Sequence, residues 1–341
     1  MTIGELGKDL LGSRRWMVTG VAGFIGSHLA EFLLKNGQQV VGVDDFSTGK
    51  AKNLELVRDI VGAESWRNFR FQRCDIRDLA TLEPLLKNVE IVLHQAALGS
   101  VPRSLKDPLT SSAVNIGGFL NVLEASRQAG VRRFVYAASG STYGDHVELP
   151  KVEERIGRPL SPYAVTKYVN ELFAEVFTSA YGISTVGLRY FNVFGPRQDP
   201  DGPYAAVIPK WIAAAWSGNP PTIYGDGETS RDFTYVENVV QANMLAALAE
   251  SIPKSIAVYN VAFGERTSLN NLFEQIVAAV EKTKGAPVHL KPIYAEFRSG
   301  DIRHSLASIE KARQQLGYVP RVGLKEGLIL TAEWYKTFGV S

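Results

Sequence analysis

One cysteine, Cys74, stands in a chain of 341 residues. It excludes a disulfide within the chain, so a reducing, cytoplasmic compartment is expected. An excess of either charge is missing too: 37 basic residues face 35 acidic ones, a net charge of +2. That balance leaves no electrostatic footprint for nucleic acid, and none is expected as a partner. No apolar run reaches the ~20 residues of a membrane span, so no membrane partner is expected either. The first fifteen residues carry Glu5 and Asp9 and lack an apolar h-region. They do not read as a signal peptide, and their pattern suits a short amphipathic helix without a catalytic role. The five histidines, His28, His94, His146, His289 and His304, show no paired ligand spacing, so packing or local hydrogen bonding is expected and no metal. Internal repeats, heptads and low-complexity tracts are absent.

What remains is 45% hydrophobic and 21% charged, an ordinary globular composition. The length suits one large α/β unit with a smaller partner. Short β-branched runs alternate with helix-length amphipathic stretches. RRWMVTG, QQVVGVDD, FRFQRCD, VEIVLHQAA and RRFVYAAS read as strands, with a helix from about Phe24 to Lys35 and others over DLATLEPLLKN and NIGGFLNVLEASRQAG. This βαβα order predicts a doubly wound, mostly parallel sheet with right-handed crossovers. After ISTVGLRYF the order loosens, and proline and glycine accumulate in FGPRQDPDGPY and GNPPTIYGDGETS. A smaller lobe of discontinuous segments is expected there, with a ligand crevice between the lobes at the carboxyl ends of the strands.

Gly20, Gly23 and Gly26 follow the first strand in TGVAGFIG and precede a helix. The first permits a tight turn, the second lets backbone approach a pyrophosphate, and the third lets helix and strand pack closely. The helix amino end offers N–H groups and a favourable dipole to phosphate. Asp44 ends the second strand, where a carboxylate binds a ribose 2′-hydroxyl and repels a 2′-phosphate, which favours NAD over NADP. Asp45 either faces the adenosine or caps its loop. Asp75, with Ile76 beside it, either lies near the adenine or serves its turn.

In SPYAVTK, Ser161 is a good N-cap and Pro162 suits the first helical position. Tyr163 and Lys167 then share one helix face. Ser139 ends the fifth strand, 24 residues upstream. A phenol near pKa ~10 is a poor base at neutral pH. A lysine cation and the positive nicotinamide of NAD⁺ favour the phenolate, and lowering it by about three units needs roughly 4 kcal/mol. Tyr163 can then take a sugar hydroxyl proton while carbon gives hydride to nicotinamide, with Ser139 steadying or relaying the proton. Tyr and Lys four apart also arise by chance on amphipathic helices; the glycine loop, Asp44 and Ser139 give the pair its meaning.

These residues closely resemble the extended short-chain dehydrogenase/reductase family, and within it the nucleotide-sugar 4-epimerases. The motifs are TGVAGFIG, VDDFSTG, CDIRD, LHQAALGSV, NIGG, AASGSTYGD, SPYAVTK, LRYFNVFGPR, GDGETSRDFTYVEN and RSGDIRHS. The resemblance implies a Rossmann-like fold, tightly held NAD and Ser139, Tyr163 and Lys167 as the catalytic trio. It places Phe24, Ile25, Phe46, Gln95, Ala96, Ala97, Asn115 and Tyr190 by the cofactor, with Phe191 near the site. Ser100, Ser141, Asn192, Val207, Tyr224, Arg231, Arg298 and Asp301 fall to the UDP-sugar, and Gly99, Gln198 and Ser305 to the hexose. It implies an extension over 1–15, an NAD-binding domain over 16–195 plus about 235–265, and a nucleotide-sugar lobe over about 196–234 plus 266–341. A homodimer through the helices beginning near Asp107 and Ser161 is likewise implied.

The likeness is greatest to UDP-N-acetylglucosamine 4-epimerases, whose small residues at the Gly99 and Ser305 positions leave room for an acetyl group. Epimerases of UDP-glucose or of a UDP-uronic acid are the near alternatives. Gly140 departs from relatives with a second serine there, which puts a proton-shuttling role at that position in doubt. A 4,6-dehydratase ranks lower, because Gly140, Ser141 and Thr142 stand where such relatives place carboxylates. A non-catalytic NAD sensor ranks lower still, since both Tyr163 and Lys167 are present.

Overall fold

The computed structural model describes residues 12–201, 205–252, 257–297 and 302–338. Most of the N-terminal segment expected to be helical lies outside them, as do Arg298 and Asp301. Seven strands form a wholly parallel sheet: β1 Arg15–Thr19, β2 Gln39–Asp44, β3 Phe69–Arg73, β4 Ile91–His94, β5 Arg133–Ser139, β6 Ser184–Tyr190 and, later in the chain, β11 Val258–Val261. Their spatial order is β11-β6-β5-β4-β1-β2-β3. The order reverses between β1 and β4, which opens a crevice at their carboxyl ends.

Both faces of this sheet are covered, which is why its strands read as nearly continuous apolar runs. On one face Trp16 and Val18 pack with Leu29, Leu33, Val239 and Tyr259. On the other, Met17 packs with Val92, Phe119, Phe134 and Phe177. The helices are α1 Phe24–Lys35, α2 Ala51–Trp66, α3 Leu79–Leu82, α4 Val101–Lys106, α5 Pro108–Ser112, α6 Phe119–Gln128 and α7 Pro162–Tyr181, then α8 Val207–Ser217, α9 Val236–Leu248, α10 Leu269–Lys284, α11 Glu310–Leu316 and α12 Leu324–Phe338. None is long and apolar enough to cross a membrane, among the described residues.

Two expected helices differ in form. DLATLEPLLKN gives only the single turn α3, followed by a tighter turn over Glu83–Leu86. Pro84 enters there, and its missing N–H cannot continue an α ladder. The helix expected over NIGGFLNVLEASRQAG starts earlier, at α5, and reaches α6 through a π-helical stretch, Ala113–Gly118.

The second lobe is built on three two-stranded pairs: β7 Val193–Phe194 with β10 Thr234–Tyr235, β8 Thr222–Tyr224 with β13 Ile293–Ala295, and β9 Ser230–Asp232 with β12 Arg266–Ser268. Its core joins Ile212, Ile223, Phe273, Ile276 and Leu328 from α8, β8, α10 and α12. Between these segments α9 and β11 return to the large sheet.

Candidate active site

The carboxyl ends of β1, β2, β4, β5 and β6 form one rim, and a cavity of about 550 Å³ opens beside it. Gly20 turns there at φ +67°, and a Cβ on it would lie 2.8 Å from the Ala96 nitrogen. A Cβ on Gly26 would lie 2.1 Å from the Gly20 carbonyl oxygen. Glycine is therefore sterically required at both places. Gly23 caps α1, so the N–H groups of its first turn have no partner within the helix. Phe24, Ile25 and Gly26 line the cavity with Gly23, which is the geometry of an anion site.

Asp44 is buried at the end of β2. Its carboxylate accepts N–H bonds from Ala22 at 2.9 Å and Phe46 at 2.8 Å, which tie it to the glycine loop. Burial pushes its pKa up, and those two bonds hold the rise back. Asp45, Asp75 and Ile76 also line the cavity. Asp45 accepts from the Ser47 N–H at 2.8 Å. The Asp75 carboxylate is paired with Arg77 at 2.5 Å, a pairing that lowers its pKa. Phe46 stands outside the cavity wall, packed on Phe71 at a centroid distance of 5.2 Å.

Ser139, Tyr163 and Lys167 meet in the same cavity. Ser161 caps α7 by accepting from the Ala164 N–H at 3.2 Å. The Tyr163 N–H donates to Ser104 Oγ at 3.0 Å, so α4 helps hold the helix start. Ser104 was not legible in the sequence. Lys167 is buried, and its Nζ donates to the Ala137 carbonyl at 2.8 Å. The same Nζ lies 6.0 Å from the Tyr163 ring centre. Burial pushes the lysine down to about 8, opposed by Glu171. The Tyr163 phenol is raised by burial and drawn back by a hydrogen bond with Ser139. Burial thus works against the expected phenolate, because it removes the water that would solvate that anion. A cationic cofactor ring beside the phenol would work the other way.

Ser139 accepts from the Ser141 N–H at 3.2 Å and from the Ser141 hydroxyl at 2.8 Å. Those bonds leave the Ser139 proton free to donate toward Tyr163 or a ligand. Gly140 sits under the Phe191 ring, where a Cβ would approach to 3.2 Å. Beneath the trio, buried His94 shares a 2.9 Å hydrogen bond with Thr19 Oγ1, which itself accepts from the Ala96 N–H. Burial first and Lys167 second push the histidine down to about 3.

Gln95, Ala96, Ala97 and Tyr190 line the cavity. Asn115 stands behind its wall. It holds the loop after β4, accepting from the Leu98 N–H at 2.8 Å and donating to the Leu98 carbonyl and to Thr166, both at 3.2 Å.

Gly99, Asn192 and Gln198 also line the cavity, Gly99 from the loop after β4. Asn192 donates to the Asp232 carbonyl at 2.9 Å. Gln198 donates to the Val193 carbonyl at 3.1 Å. Arg231 lies on β9, with its Nη1 3.0 Å from the Ser230 carbonyl. The Ser305 N–H donates to that same carbonyl at 3.0 Å, so Arg231 and Ser305 occupy neighbouring backbones. Buried Asp232, which the sequence reading did not single out, pins this region by accepting from the Phe263, Gly264 and Ala307 N–H groups. Burial pushes it up to about 7 against those bonds. Tyr224 ends β8, Val207 opens α8 and Ser100 caps α4. With Arg231, Ser305 and Ser141 they stand outside the cavity wall.

Known proteins resemble this chain in sequence and fold. The family described as GDP-mannose 4,6 dehydratase matches residues 17–331. A UDP-glucose 4-epimerase of Mycolicibacterium smegmatis is 38% identical over 325 residues, covering 94% of this chain and 98% of that one. A UDP-N-acetylglucosamine 4-epimerase from Methanobrevibacter ruminantium, solved with UDP-N-acetylmuramic acid, superposes with a TM-score of 0.86 at 37% identity, covering 96% and 100%. A UDP-glucuronic acid 4-epimerase from Bacillus cereus, solved with UDP-glucuronic acid and NAD, gives 0.82 at 32% identity, covering 95% and 99%. With the glycine loop, Asp44 and the Ser139–Tyr163–Lys167 cluster all on one rim, this chain belongs to the GDP-mannose 4,6-dehydratase family of extended short-chain dehydrogenase/reductases, alongside the UDP-sugar 4-epimerases.

Proposed function

We propose that this chain is an NAD-dependent UDP-sugar 4-epimerase acting on UDP-N-acetylglucosamine and its galacto epimer. The dinucleotide fits the residues present: bare backbone at Gly20 and Gly26, open N–H groups at α1 and a carboxylate at Asp44. Bound there, NAD would supply a reversible hydride acceptor for the sugar C4 hydrogen. Tyr163 takes the O4 proton, with Ser139 donating to the oxygen that carries the developing charge. Lys167 supplies positive charge beneath the phenol. The 4-keto sugar then turns about its diphosphate linkage, and Tyr163 gives the proton back on the other face. Asn192 and Arg231 are assigned to the nucleotide diphosphate, Arg298 and Asp301 to its diphosphate and uridine side, and Tyr224 to the substrate. Leu105, Leu109, Leu172 and Val176 are exposed apolar side chains on α4, α5 and α7, and we read this face as the one through which two copies associate.

The choice of an acetylated sugar rests on Gly99. It lines the cavity, and a Cβ there would meet nothing within 4 Å. Space at that wall accommodates the wider sweep of a C2 acetamido group, and Ser305, beside Ser230 of β9, is small as well. Purified protein is expected to interconvert the two acetylated sugars without added NAD. Ser305→Tyr is expected to lower kcat/KM for UDP-N-acetylglucosamine at least tenfold more than for UDP-glucose, by steric overlap that rigid packing does not absorb. Equal losses for both sugars would remove Ser305 from the specificity assignment, and a strict need for stoichiometric NADH would replace epimerisation with reduction.

A further inference from the structure

Three polar side chains close a ring behind the cofactor wall. Gln95 and Tyr190 line the cavity, whereas Asn243 on α9 is fully buried and does not. Asn243 Nδ2 donates to the Val239 carbonyl at 2.8 Å and to the Tyr190 hydroxyl at 2.9 Å. Gln95 Nε2 donates to Asn243 Oδ1 at 3.2 Å, and the Tyr190 hydroxyl donates to Gln95 Oε1 at 3.1 Å, with Asn243 Oδ1 a longer second acceptor at 3.3 Å.

The direction of each bond follows from one fixed point. A helix carbonyl can only accept, so the Val239 oxygen requires the amide nitrogen of Asn243 to face it. Asn243 Oδ1 must then face Gln95, and an oxygen there requires the Gln95 nitrogen. Gln95 Oε1 is left facing Tyr190, which can only be met by the phenol proton. The second Asn243 N–H fills one lone pair of the Tyr190 oxygen. Besides the second lone pairs of the two amide oxygens, one N–H of Gln95 and one lone pair of Tyr190 remain without partners in the ring. Both belong to cavity-lining residues. The β5–β6 register sets Tyr190 directly beside Ser139, so this donor and acceptor stand next to the reacting end of the cavity.

We propose that Asn243 is a positioning residue for the dinucleotide, transmitting the polarity of the α9 backbone to the Gln95 amide and the Tyr190 hydroxyl. Without it the Gln95 amide can turn over and the Tyr190 proton can point elsewhere. The cofactor would then meet a wall of mixed orientations and have to order it on binding. An epimerase that must keep its reduced cofactor until the sugar has turned has a use for such preorganisation. The proposal rests on the NAD-dependent reading above.

The test measures NADH affinity by fluorescence titration of enzyme stripped of nucleotide, alongside UDP affinity. Asn243→Leu is expected to weaken NADH at least tenfold and leave UDP unchanged. Asn243→Asp keeps the shape but sets an oxygen against the Val239 carbonyl, and is expected to weaken NADH as well. A double-mutant cycle with Gln95→Met and Tyr190→Phe supplies the readout that a merely structural role would not move. In the Gln95→Met/Tyr190→Phe background, Asn243→Leu should cost less than threefold further. Additive losses in that cycle, or wild-type NADH affinity in the Leu and Asp variants, would overturn the proposal while leaving the NAD-dependent reading intact. Failure of the unaltered protein to bind NADH would sink that reading and this proposal together.

Discussion

Lys167 carries the plainest conflict between stability and activity. Its ammonium is buried, and burial pushes it down to about 8 from an ordinary value near 10.5. The folded state therefore holds fewer protons than the unfolded chain between about 8 and 10.5, and stability from this group rises with pH across that window. Below it, at neutral pH, the buried cation is a net cost. Lys167→Met is accordingly expected to lose most of its turnover while gaining roughly 1–3 kcal/mol of stability near pH 7. The gain should shrink as pH climbs toward 10. Thermal melts of both proteins at pH 7 and 9.5 decide this, and a variant less stable at pH 7 would show that the Ala137 hydrogen bond outweighs desolvation. The Ser139–Tyr163–Lys167 cluster itself was readable because each member has a local signature: Ser139 ends an apolar run, and Ser161-Pro162 announces the helix that carries Tyr163 and Lys167. Ser104, Asp232 and Asn243 have no such signature. Each acts across 31 to 148 residues of sequence.

The element that matters most is α7, whose face presents Tyr163, Lys167 and Glu171 in successive turns. Glu171 forms a buried two-bond pair with Arg189 of β6, at 2.9 and 2.7 Å. Arg189 also donates to the Glu153 carbonyl and lies over the Tyr143 ring at 4.8 Å. This pair fixes the helix against the strand that ends in Tyr190, and hence the phenol against Ser139. Glu171→Gln leaves a buried guanidinium without its counter-charge and is expected to destabilise by about 3–5 kcal/mol. Glu171→Leu combined with Arg189→Met should recover much of that in a denaturant melt yet stay impaired in kcat, because the register of α7 is then set by packing alone. Full activity in the double variant would deny the pair any positioning role. Elements of this kind divide by how local their causes are. α1 spans Phe24–Lys35 as its periodicity and glycine cap require. The π-helical turn at Ala113–Gly118 was hidden, because Gly118 is there to admit the Ile76 side chain, which a Cβ would meet at 2.5 Å. No periodicity records a contact with a residue 42 positions away.

At the scale of the whole molecule, the uncovered apolar face is what the single chain leaves unexplained. Leu109 is 83% exposed, Leu105 63% and Val176 55%. They sit on α4, α5 and α7, which pack on one another. Apolar side chains scattered singly need no partner, whereas a patch shared by adjoining helices marks an interaction site. The same helices hold the Tyr163 N–H through Ser104, so a second copy seated on them would stiffen the support of the Tyr163 phenol. The glycine loop, Asp44 and the Gln95–Tyr190–Asn243 ring lie on other elements. Leu109→Glu combined with Val176→Glu is therefore expected to yield a monomer by light scattering, with lower kcat and an unchanged content of bound dinucleotide. A monomeric unaltered protein would remove the association reading. A variant that stays dimeric would place the contact on some other face, and one that becomes monomeric with normal kcat would separate association from the support of Tyr163.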